Sequence, residues 1–455
     1  MKSDEFRQAG YQIIDWIADY MENGYPGPVS PETAPGELLG LLPQHPPRQG
    51  QEAEQVVKDF KRLVLPHSTH WNDPRFFGYF PCSHSGPGIL GDLLSAGLGV
   101  NGMSWATCPA STELEIRMME WLGQMIGLDW PGCIQDTAST ATLCALLAAR
   151  EKLAPLNQSG GSGQPSMTVY ATEQTHSSAI KAVRIAGIGD RNLRALPVDE
   201  EYAMQPQALE EALRRDRQTG RIPVCVIATV GTTSSTAVDP VPAIAEICRR
   251  HQVWLHVDAA LAGSAAILPE MRWLMEGVEE SDSYVFNPHK WLFTNFDCTA
   301  FFCRDPHSLK QALAIQPEYL KTGYDRAAEN FRDWSLQLGR RFRSLKLWMV
   351  IRCYGVEGLR ALLRRHLEMT QWFARQVRTH PRTQLLREPR LQTVCFHLED
   401  DESTQGLLEA VNATGQALLT HTRLDGRYII RVSFGQIHQR PQHAEALWDL
   451  ISKAL

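Results

Sequence analysis

The sequence predicts an α/β fold with a mostly parallel central sheet. Short apolar runs bounded by Gly, Pro and Asp alternate with segments of helical periodicity through the middle of the chain. This alternation is typical of parallel strands joined by helices. The chain has 455 residues, which allows about three domains at roughly 150 residues each. Its 43% hydrophobic and 21% charged residues are usual for a globular protein and exclude a disordered chain.

The first segment, residues 1–82, is predicted to be a helical and extended arm. Apolar residues such as Phe6, Ile13 and Ile17 recur with helical spacing up to residue 21. The Pro- and Gly-rich stretch that begins at Tyr25 excludes a continuous helix or a central strand. One helix with an extended tail cannot bury its own apolar face. We therefore expect the arm to pack on the rest of the chain or on a second subunit.

Residues 83–347 are predicted to form the sheet domain. Strands are predicted at residues 167–171, 224–230, 253–257 and 284–286, and helices at residues 113–126, 140–152, 177–185, 206–215 and 242–250. Residues 158–166 are predicted to be a flexible connector, because no GK[ST] follows their glycines as in a phosphate loop. The polar residues 317–334 are predicted to form a mobile lid.

Residues 348–455 are predicted to form a small α+β domain. A long helix is expected from Leu345 onward, and later apolar runs predict strands at residues 393–398 and 428–434.

Charge and cysteine usage limit the possible partners and the compartment. Lys and Arg number 45 against 51 Asp and Glu, so no general attraction to nucleic acid or anionic lipid is expected. No secretory signal is apparent, and no apolar run approaches the roughly 20 residues of a membrane helix. The ten cysteines form no CxxC pair, which favours buried thiols over disulfides or a zinc site. We expect a cytoplasmic protein without a metal site.

The strongest local signal is Asn287-Pro-His289-Lys290-Trp291, directly after the predicted strand at 284–286. Ligands of α/β sheets bind outside the carboxyl ends of parallel strands. Apolar and aromatic neighbours would desolvate Lys290, lower its pKa and make it a nucleophile toward carbonyls. The same residues are also compatible with a surface lysine whose stem lies over Trp291.

Two other segments offer an acid and an anion site. Asp258 follows the predicted strand at 253–257 and precedes two small residues, although an acid there could also cap a helix. Thr137, Ala138 and Ser139 open a predicted helix, whose free N–H groups and hydroxyls can bind an anion. Taken alone, these residues are also typical of an ordinary well-capped helix.

Thr233 and His176 complete the set of polar groups. Thr233 lies in a turn rich in glycine and hydroxyl groups after a strand, and His176 begins a helix after the strand at 167–171. Each has an ordinary structural interpretation by itself. Together with Lys290, Asp258 and the helix start, they suit one ligand that carries an aldehyde, a ring nitrogen, a flat ring and a phosphate. Pyridoxal phosphate has all four groups.

The chain resembles the pyridoxal-phosphate-dependent aromatic-L-amino-acid decarboxylases of group II. The resemblance runs nearly end to end and is carried by Thr69-His-Trp71, Phe77-Gly-Tyr-Phe-Pro81, Ser104-Trp-Ala, Thr112-Glu-Leu-Glu115, Thr175-His-Ser-Ser178, His256-Val-Asp-Ala-Ala260, Asn287-Pro-His-Lys-Trp291 and Leu338-Gly-Arg-Arg-Phe-Arg-Ser-Leu-Lys346. It implies fold type I, the fold of aspartate aminotransferase, with pyridoxal 5'-phosphate as cofactor. It also implies a homodimer with active sites at the subunit interface and a small-molecule amino acid as substrate.

The resemblance also implies a role for each site residue. Lys290 would hold the cofactor as an imine, Asp258 would pair with the ring nitrogen, and His176 would stack on the ring. His289 would lie beside Lys290, and Tyr319 would protonate the substrate carbon after carbon dioxide leaves. Further cofactor contacts are implied for Thr137, Ala138, Ser139, Thr233, Ala260 and Asn287.

The substrate pocket implied by the family is largely aromatic. It would include Trp71, Tyr79, Phe80, Pro81, Cys82, Asn101, Met103, His176 and Gly355. An apolar wall argues against a strongly acidic substrate, because a buried carboxylate needs a partner. Gly355 resembles the glycine of indole-accepting relatives and points to tryptophan. Cys82, Asn101, Met103 and Leu261 depart from the usual pattern, so the preferred side chain stays open.

The predicted reaction is decarboxylation of tryptophan, tyrosine, phenylalanine, DOPA or 5-hydroxytryptophan to the arylalkylamine. One alternative is a decarboxylase of a non-aromatic acid such as histidine or glutamate. Another is an aromatic aldehyde synthase, which Tyr319 argues against because those relatives carry phenylalanine there. A scaffold without catalysis is the remaining alternative, and the presence of Lys290, Asp258 and His176 argues against it.

Overall fold

The computed structural model of the protein describes residues 1–155 and 166–455. Most of the predicted connector at residues 158–166 therefore lies outside the described residues. The chain divides into two compact units, one formed by Cys82–Arg364 and the other by Met1–Pro81 with Arg365–Leu455. The domain boundaries expected after residues 82 and 347 stay a prediction.

The helices and strands are numbered in chain order. The helices are α1 (Ser3–Asn23), α2 (Glu37–Leu41), α3 (Ala53–Asp59), α4 (Gly86–Leu98), α5 (Pro109–Ile126), α6 (Ala138–Leu153), α7 (Ser178–Ile185), α8 (Pro206–Gln218), α9 (Val241–His251), α10 (Pro288–Trp291), α11 (Pro306–Leu313), α12 (Arg343–Thr379), α13 (Asp401–Ala413) and α14 (Pro441–Ala454). The strands are β1 (Gly132–Gln135), β2 (Met167–Thr172), β3 (Leu193–Leu196), β4 (Ile222–Thr229), β5 (Trp254–Asp258), β6 (Ser283–Phe286), β7 (Thr299–Cys303), β8 (Gln384–Leu385), β9 (Thr393–His397), β10 (Thr420–Leu424) and β11 (Arg427–Ser433).

The unit Cys82–Arg364 contains a seven-stranded sheet in the order β1-β7-β6-β5-β4-β2-β3. Strands β3, β2, β4, β5 and β6 are parallel to one another, whereas β7 is antiparallel to both β6 and β1. The predicted α/β class with a mostly parallel sheet is confirmed. The sequence analysis missed β1, β3 and β7. In β3 only Leu196 is buried, so this strand lacks the continuous apolar run by which the equally short β5 and β6 were predicted.

Helix α6 packs on this sheet through small side chains. Ala141, Ala145 and Ala149 are buried with Trp254 and Phe301 of the sheet in one apolar cluster. Alanine has a short side chain, so these positions allow the helix backbone to lie close to the sheet. The start of α6 lies at the predicted anion site, so its position matters for the site.

The other unit contains the antiparallel sheet β10-β11-β9-β8. Its core includes Phe373, Phe396 and Phe434. Within this unit, Trp16 of α1 packs on Phe60 with ring centroids 5.2 Å apart. The Phe6 side chain, in contrast, is 65% exposed, which leaves apolar surface of the arm uncovered within the single chain.

Helix α12 is interrupted at one residue, and the predicted lid contains only short helices. Gly355 lies within α12 at φ 65° and ψ 168°, so the helix expected from Leu345 is interrupted there. A positive φ at this position favours glycine over any residue with a Cβ. The lid region forms two short 3-10 helices, Glu318–Leu320 and Phe331–Trp334, and its mobility stays a prediction.

None of the helices in the described part of the chain is both long and apolar enough to cross a membrane.

Candidate active site

The carboxyl ends of β5 and β6 bring two site segments together. Asp258 is the last residue of β5, is almost fully buried, and pairs in parallel register with Val285 of β6. Its Oδ1 accepts a hydrogen bond from the Ala260 N–H at 3.0 Å. The Asn287 N–H donates to the Ala260 carbonyl at 2.9 Å. This hydrogen bond joins the segment that follows β6 to the segment that follows β5.

Lys290 lies in the short helix α10, which follows β6. The Lys290 N–H donates to the Asn287 carbonyl at 2.9 Å. The Lys290 carbonyl accepts from the Ser83 hydroxyl at 3.2 Å. Burial lowers the pKa of the Lys290 ammonium group, while the negative charge of Asp258 opposes this effect. The net result is a lysine with more neutral amine than an exposed one, as a carbonyl nucleophile requires.

His289 is buried beside Lys290 and stays neutral. Burial, assisted by the Lys290 charge, lowers the pKa of His289 to about 3. Its Nδ1 accepts a hydrogen bond from the Cys298 N–H at 3.0 Å. A neutral imidazole that accepts at Nδ1 must carry its proton on Nε2, so Nε2 of His289 is a hydrogen-bond donor.

His176 lies at the start of the segment that leads into α7. Its Nδ1 accepts from the Ser178 N–H at 3.2 Å and lies 2.8 Å from the Ser178 hydroxyl. Desolvation and the Lys290 charge lower the pKa of His176, and Asp258 opposes the shift. These electrostatic effects require His176 to lie near both groups. Its exposed edge is an Nε2–H donor, by the same reasoning as for His289.

The amino-terminal end of α6 supplies groups suited to a phosphate. The Thr137 hydroxyl caps the helix by accepting from the Thr140 N–H at 3.4 Å. The Thr299 hydroxyl lies 2.8 Å from the Asn287 Oδ1 and 3.1 Å from the Asp136 carbonyl, which connects the α6 start to the Lys290 segment. Ala138 is buried, whereas the Ser139 side chain is exposed. The exposed hydroxyl and the free N–H groups can bind an anion.

The other predicted cofactor contacts are also on this unit. Thr233 follows β4 and is exposed, and Ala260 is half-buried after β5. Neither the Ser139 nor the Thr233 hydroxyl forms a hydrogen bond with another residue that the structure describes. Their availability fits a bound ligand with many acceptor oxygens.

The predicted substrate residues of this unit have diverse surroundings. Cys82 is half-buried, and burial raises the pKa of its thiol to about 11 against the opposing charge of Lys290. The exposed Asn101 accepts from the Arg340 N–H at 3.0 Å through Oδ1. Met103 is half-buried, and its carbonyl accepts a hydrogen bond from the Arg332 N–H at 3.0 Å. Tyr319 is 76% exposed, so the single chain leaves its hydroxyl in solvent.

The remaining predicted substrate residues belong to the other unit. Trp71 and Tyr79 stack with centroids 5.2 Å apart and planes 17° apart, and both are partly exposed. The Arg431 guanidinium lies over Phe80 at 5.2 Å. Pro81 is buried. Their role in a substrate pocket stays a prediction.

The sequence analysis predicted no contact at the site for several residues that hold it together. Arg340 and Glu115 form a buried bidentate ion pair with contacts of 2.6 and 3.1 Å, and Arg340 also donates to the Ile134 carbonyl just before the α6 segment. His256 was named only as part of the family motif His256-Val-Asp-Ala-Ala260, and a single threonine such as Thr299 gives no sequence signal.

Comparison with known proteins gives a consistent result. Residues 35–399 match the family model of the pyridoxal-dependent decarboxylase conserved domain. The chain is 41% identical to phenylacetaldehyde synthase of Arabidopsis thaliana, covering 100% of this chain and 96% of the relative. It is also 41% identical to the aromatic-L-amino-acid decarboxylase of Mus musculus, covering 99% and 98%. The crystal structure of Oryza sativa TDC with PLP and tryptamine superimposes with a TM-score of 0.96 at 37% identity, covering 100% and 98%.

Proposed function

The chain belongs to the pyridoxal-dependent decarboxylase family, and we propose that it converts an aromatic L-amino acid to the corresponding arylalkylamine and carbon dioxide. The observation that carries the proposal is the placement of Lys290, with its lowered pKa, at the end of β6 beside Asp258 at the end of β5. Related proteins of similar sequence include the mouse aromatic-L-amino-acid decarboxylase, which supports the substrate class.

The described residues fit pyridoxal phosphate. The start of α6 and the exposed Ser139 and Thr233 hydroxyls offer donors to its phosphate, and Lys290 offers an amine to its aldehyde. The Asp258 carboxylate uses Oδ1 for the Ala260 N–H, which leaves Oδ2 to hold a proton on the ring nitrogen. When bound, the cofactor supplies an aldehyde that captures amines and a protonated ring that accepts an electron pair.

The chain's own residues account for the remaining requirements. Lys290 provides the amine that the substrate amine would replace, and its lowered pKa makes the loss of its proton easier than in an exposed lysine. His176 and His289 remain neutral and present Nε2–H donors. Tyr319 is the proposed proton donor to the substrate carbon. Its 76% exposure in the single chain implies that a lid movement or a second subunit must cover it.

A second candidate function is aromatic aldehyde synthesis. The Arabidopsis relative at 41% identity is a phenylacetaldehyde synthase. That reaction also releases carbon dioxide but consumes oxygen and gives an aldehyde, ammonia and peroxide. Tyr319 favours the amine-forming reaction, because a phenolic proton at the substrate carbon ends the reaction before oxygen can act.

We further propose a homodimer that works in the cytoplasm. Exposed apolar side chains on α1, among them Phe6 and Ile13, leave a surface that a second copy would cover. The ten cysteines are all unpaired, as expected in a reducing compartment.

The experiment is to incubate the purified protein with pyridoxal phosphate and a panel of amino acids, and to identify the products by mass spectrometry. We expect amines from tryptophan, tyrosine, phenylalanine, DOPA or 5-hydroxytryptophan. Histidine or glutamate as the preferred substrate would contradict the aromatic class, and aldehyde with peroxide would contradict decarboxylation to the amine. The visible absorbance band of the lysine-bound cofactor should disappear in Lys290→Ala, and its survival would contradict the role of Lys290.

A further inference from the structure

A series of buried polar side chains connects helix α6 to strands β5 and β6 near the proposed cofactor site. His256 of β5 is fully buried, and its Nε2 lies 3.2 Å from the Thr142 hydroxyl of α6. Its Nδ1 lies 2.9 Å from the hydroxyl of Ser283, the first residue of β6, and that oxygen also accepts from the Trp254 indole N–H at 2.9 Å. His256 and Ser283 are register partners in the parallel pair β5/β6.

Each element in this chain carries part of the proposed site. Helix α6 begins with Ala138 and Ser139, one turn before Thr142. Strand β5 ends at Asp258, two residues after His256 and on the same face of the sheet. Strand β6 leads into Asn287 and the Lys290 helix. One imidazole therefore connects the phosphate-binding helix to both strands that carry the acid and the lysine.

The contact with α6 has a specific structural task. The other buried side chains of α6, among them Ala141, Ala145 and Ala149, join an apolar cluster with the sheet, and apolar contacts have no preferred direction. A hydrogen bond between Thr142 and His256 requires a particular direction and length, so it restricts the position of α6 relative to β5. The cofactor ring is rigid, so its phosphate site and Asp258 must keep a fixed separation.

We propose that His256, together with Thr142, is a positioning pair that sets the distance between the phosphate-binding start of α6 and Asp258. The inference rests on the proposed function for the identity of the ligand. The imidazole suits this task because it is neutral and uses both nitrogens. The Ser283 hydroxyl accepts from the Trp254 indole N–H, and in either tautomer of His256 one ring nitrogen donates and the other accepts, so the Ser283 and Thr142 hydroxyls satisfy both. Burial keeps the imidazole uncharged by lowering its pKa to about 4.

The test compares two removals of a buried hydroxyl from the same unit. Thr142→Val breaks the contact with His256. Thr168→Val is the matched control, because the Thr168 hydroxyl on β2 is equally buried and lies 2.9 Å from the Tyr170 hydroxyl, whose partners are not site residues. Thr142→Ser keeps the hydroxyl and serves as the conservative rescue.

The first measurement is the dissociation constant of pyridoxal phosphate, obtained by titrating apoprotein. We expect Thr142→Val to weaken binding on the order of tenfold, as is usual when a group that orients ligand-binding residues is lost. Thr142→Ser and Thr168→Val should bind as tightly as the unmodified protein. Unchanged affinity in Thr142→Val, or an equal loss in Thr168→Val, would overturn the proposal.

The second measurement is hydrogen exchange of the α6 amides in the apoprotein, which does not depend on cofactor chemistry. Faster exchange at the start of α6 in Thr142→Val, but not in Thr168→Val, supports the positioning pair, and equal exchange contradicts it. If Thr142→Val does not fold, His256→Asn replaces it, because asparagine reaches the Nδ1 position but not Thr142. An unmodified protein that binds the cofactor and forms no amine would contradict the proposed function alone.

Discussion

The Asn287 N–H donates a hydrogen bond to the Ala260 carbonyl at 2.9 Å. This contact joins the residues that follow β5 to those that follow β6, just where the sheet ladder ends. Asp258 and Lys290 are thereby held on neighbouring segments, although 31 residues lie between them in the sequence. Together with the β5/β6 ladder, in which Asp258 pairs with Val285, this contact holds the acid and the amine of the proposed site close together.

Replacing Asp258 with asparagine should abolish most of the activity. An amide cannot hold a proton on the ring nitrogen, so the electron-accepting form of the cofactor is lost. We expect kcat to fall on the order of 100-fold or more, as when a preorganised charge is removed from an active site. The measurement is the rate of amine release at saturating cofactor, with bound cofactor quantified in the same sample. A kcat equal to that of the unmodified protein at full occupancy would contradict the role of Asp258.

Replacing Tyr319 with phenylalanine should change the product. Without the phenolic proton donor, the substrate carbon stays available to oxygen, and we expect aldehyde and peroxide to increase at the expense of amine. Both products can be quantified from one reaction by mass spectrometry and a peroxidase assay. The matched control is Tyr324→Phe, which removes a hydroxyl from another exposed tyrosine of the same segment and should keep the amine as the product. An unchanged product ratio in Tyr319→Phe would contradict its role as proton donor.

The buried His256 should make the protein sensitive to acid. An unfolded histidine has a pKa near 6.5, whereas burial lowers the pKa of His256 to about 4. Between these values only the unfolded chain binds the proton, so the stability from the buried neutral imidazole is present above pH 6.5 and is lost as pH falls toward 4. The free energy of unfolding should lose about 2 kcal/mol from this group between pH 7 and pH 5.

Urea unfolding of the unmodified protein and of His256→Gln at pH 7 and pH 5 checks this expectation. The variant should be less stable at pH 7, and its stability should fall less between the two pH values. An identical fall in both proteins would show that His256 does not contribute to the acid sensitivity.

The buried pair of Arg340 and Glu115 should be much more important for stability than an exposed pair within α5, the helix that carries Glu115. Arg340→Met leaves the Glu115 carboxylate buried without its partner and should cost about 3–5 kcal/mol. Arg117 and Glu120 of α5 form an exposed pair at 2.9 Å, and Arg117→Met should cost less than about 1 kcal/mol.

The double variant Glu115→Gln with Arg340→Met tests the reason for that difference. The glutamine can still accept the Ile134 N–H that now donates to Glu115 at 2.8 Å, and no charge stays buried. It should be more stable than Arg340→Met alone in chemical denaturation. A double variant that is less stable than the single one would show that the loss comes from packing and not from an unpaired charge.

Charged substitutions on the exposed face of α1 should dissociate the proposed dimer. Phe6 and Ile13 are 65% and 41% exposed in the single chain and lie two turns apart on one face. Phe6→Glu with Ile13→Glu should shift sedimentation from dimer to monomer at micromolar concentration. Asp19→Lys changes the charge of an exposed position of the same helix and should leave the dimer intact. An unmodified protein that sediments as a monomer would contradict the dimer itself.

The sequence by itself determined the fold class and the family. Runs of apolar residues identified β2, β4, β5 and β6 to within one or two residues, because buried strands and amphipathic helices leave a periodic record in the chain. The local motifs around Asp258 and Lys290 identified the cofactor chemistry, since each combines an unusual set of side chains in a few consecutive residues.

Only the tertiary structure decided how these groups are held. The pairing of Arg340 with Glu115, of Thr299 with Asn287 and of His256 with Thr142 joins residues far apart in the chain. Such contacts are between single polar residues, which leave no periodic signal. Burial likewise depends on what the whole chain places around a group, so the neutral state of His289 and the proton on its Nε2 could not be predicted from neighbouring residues alone.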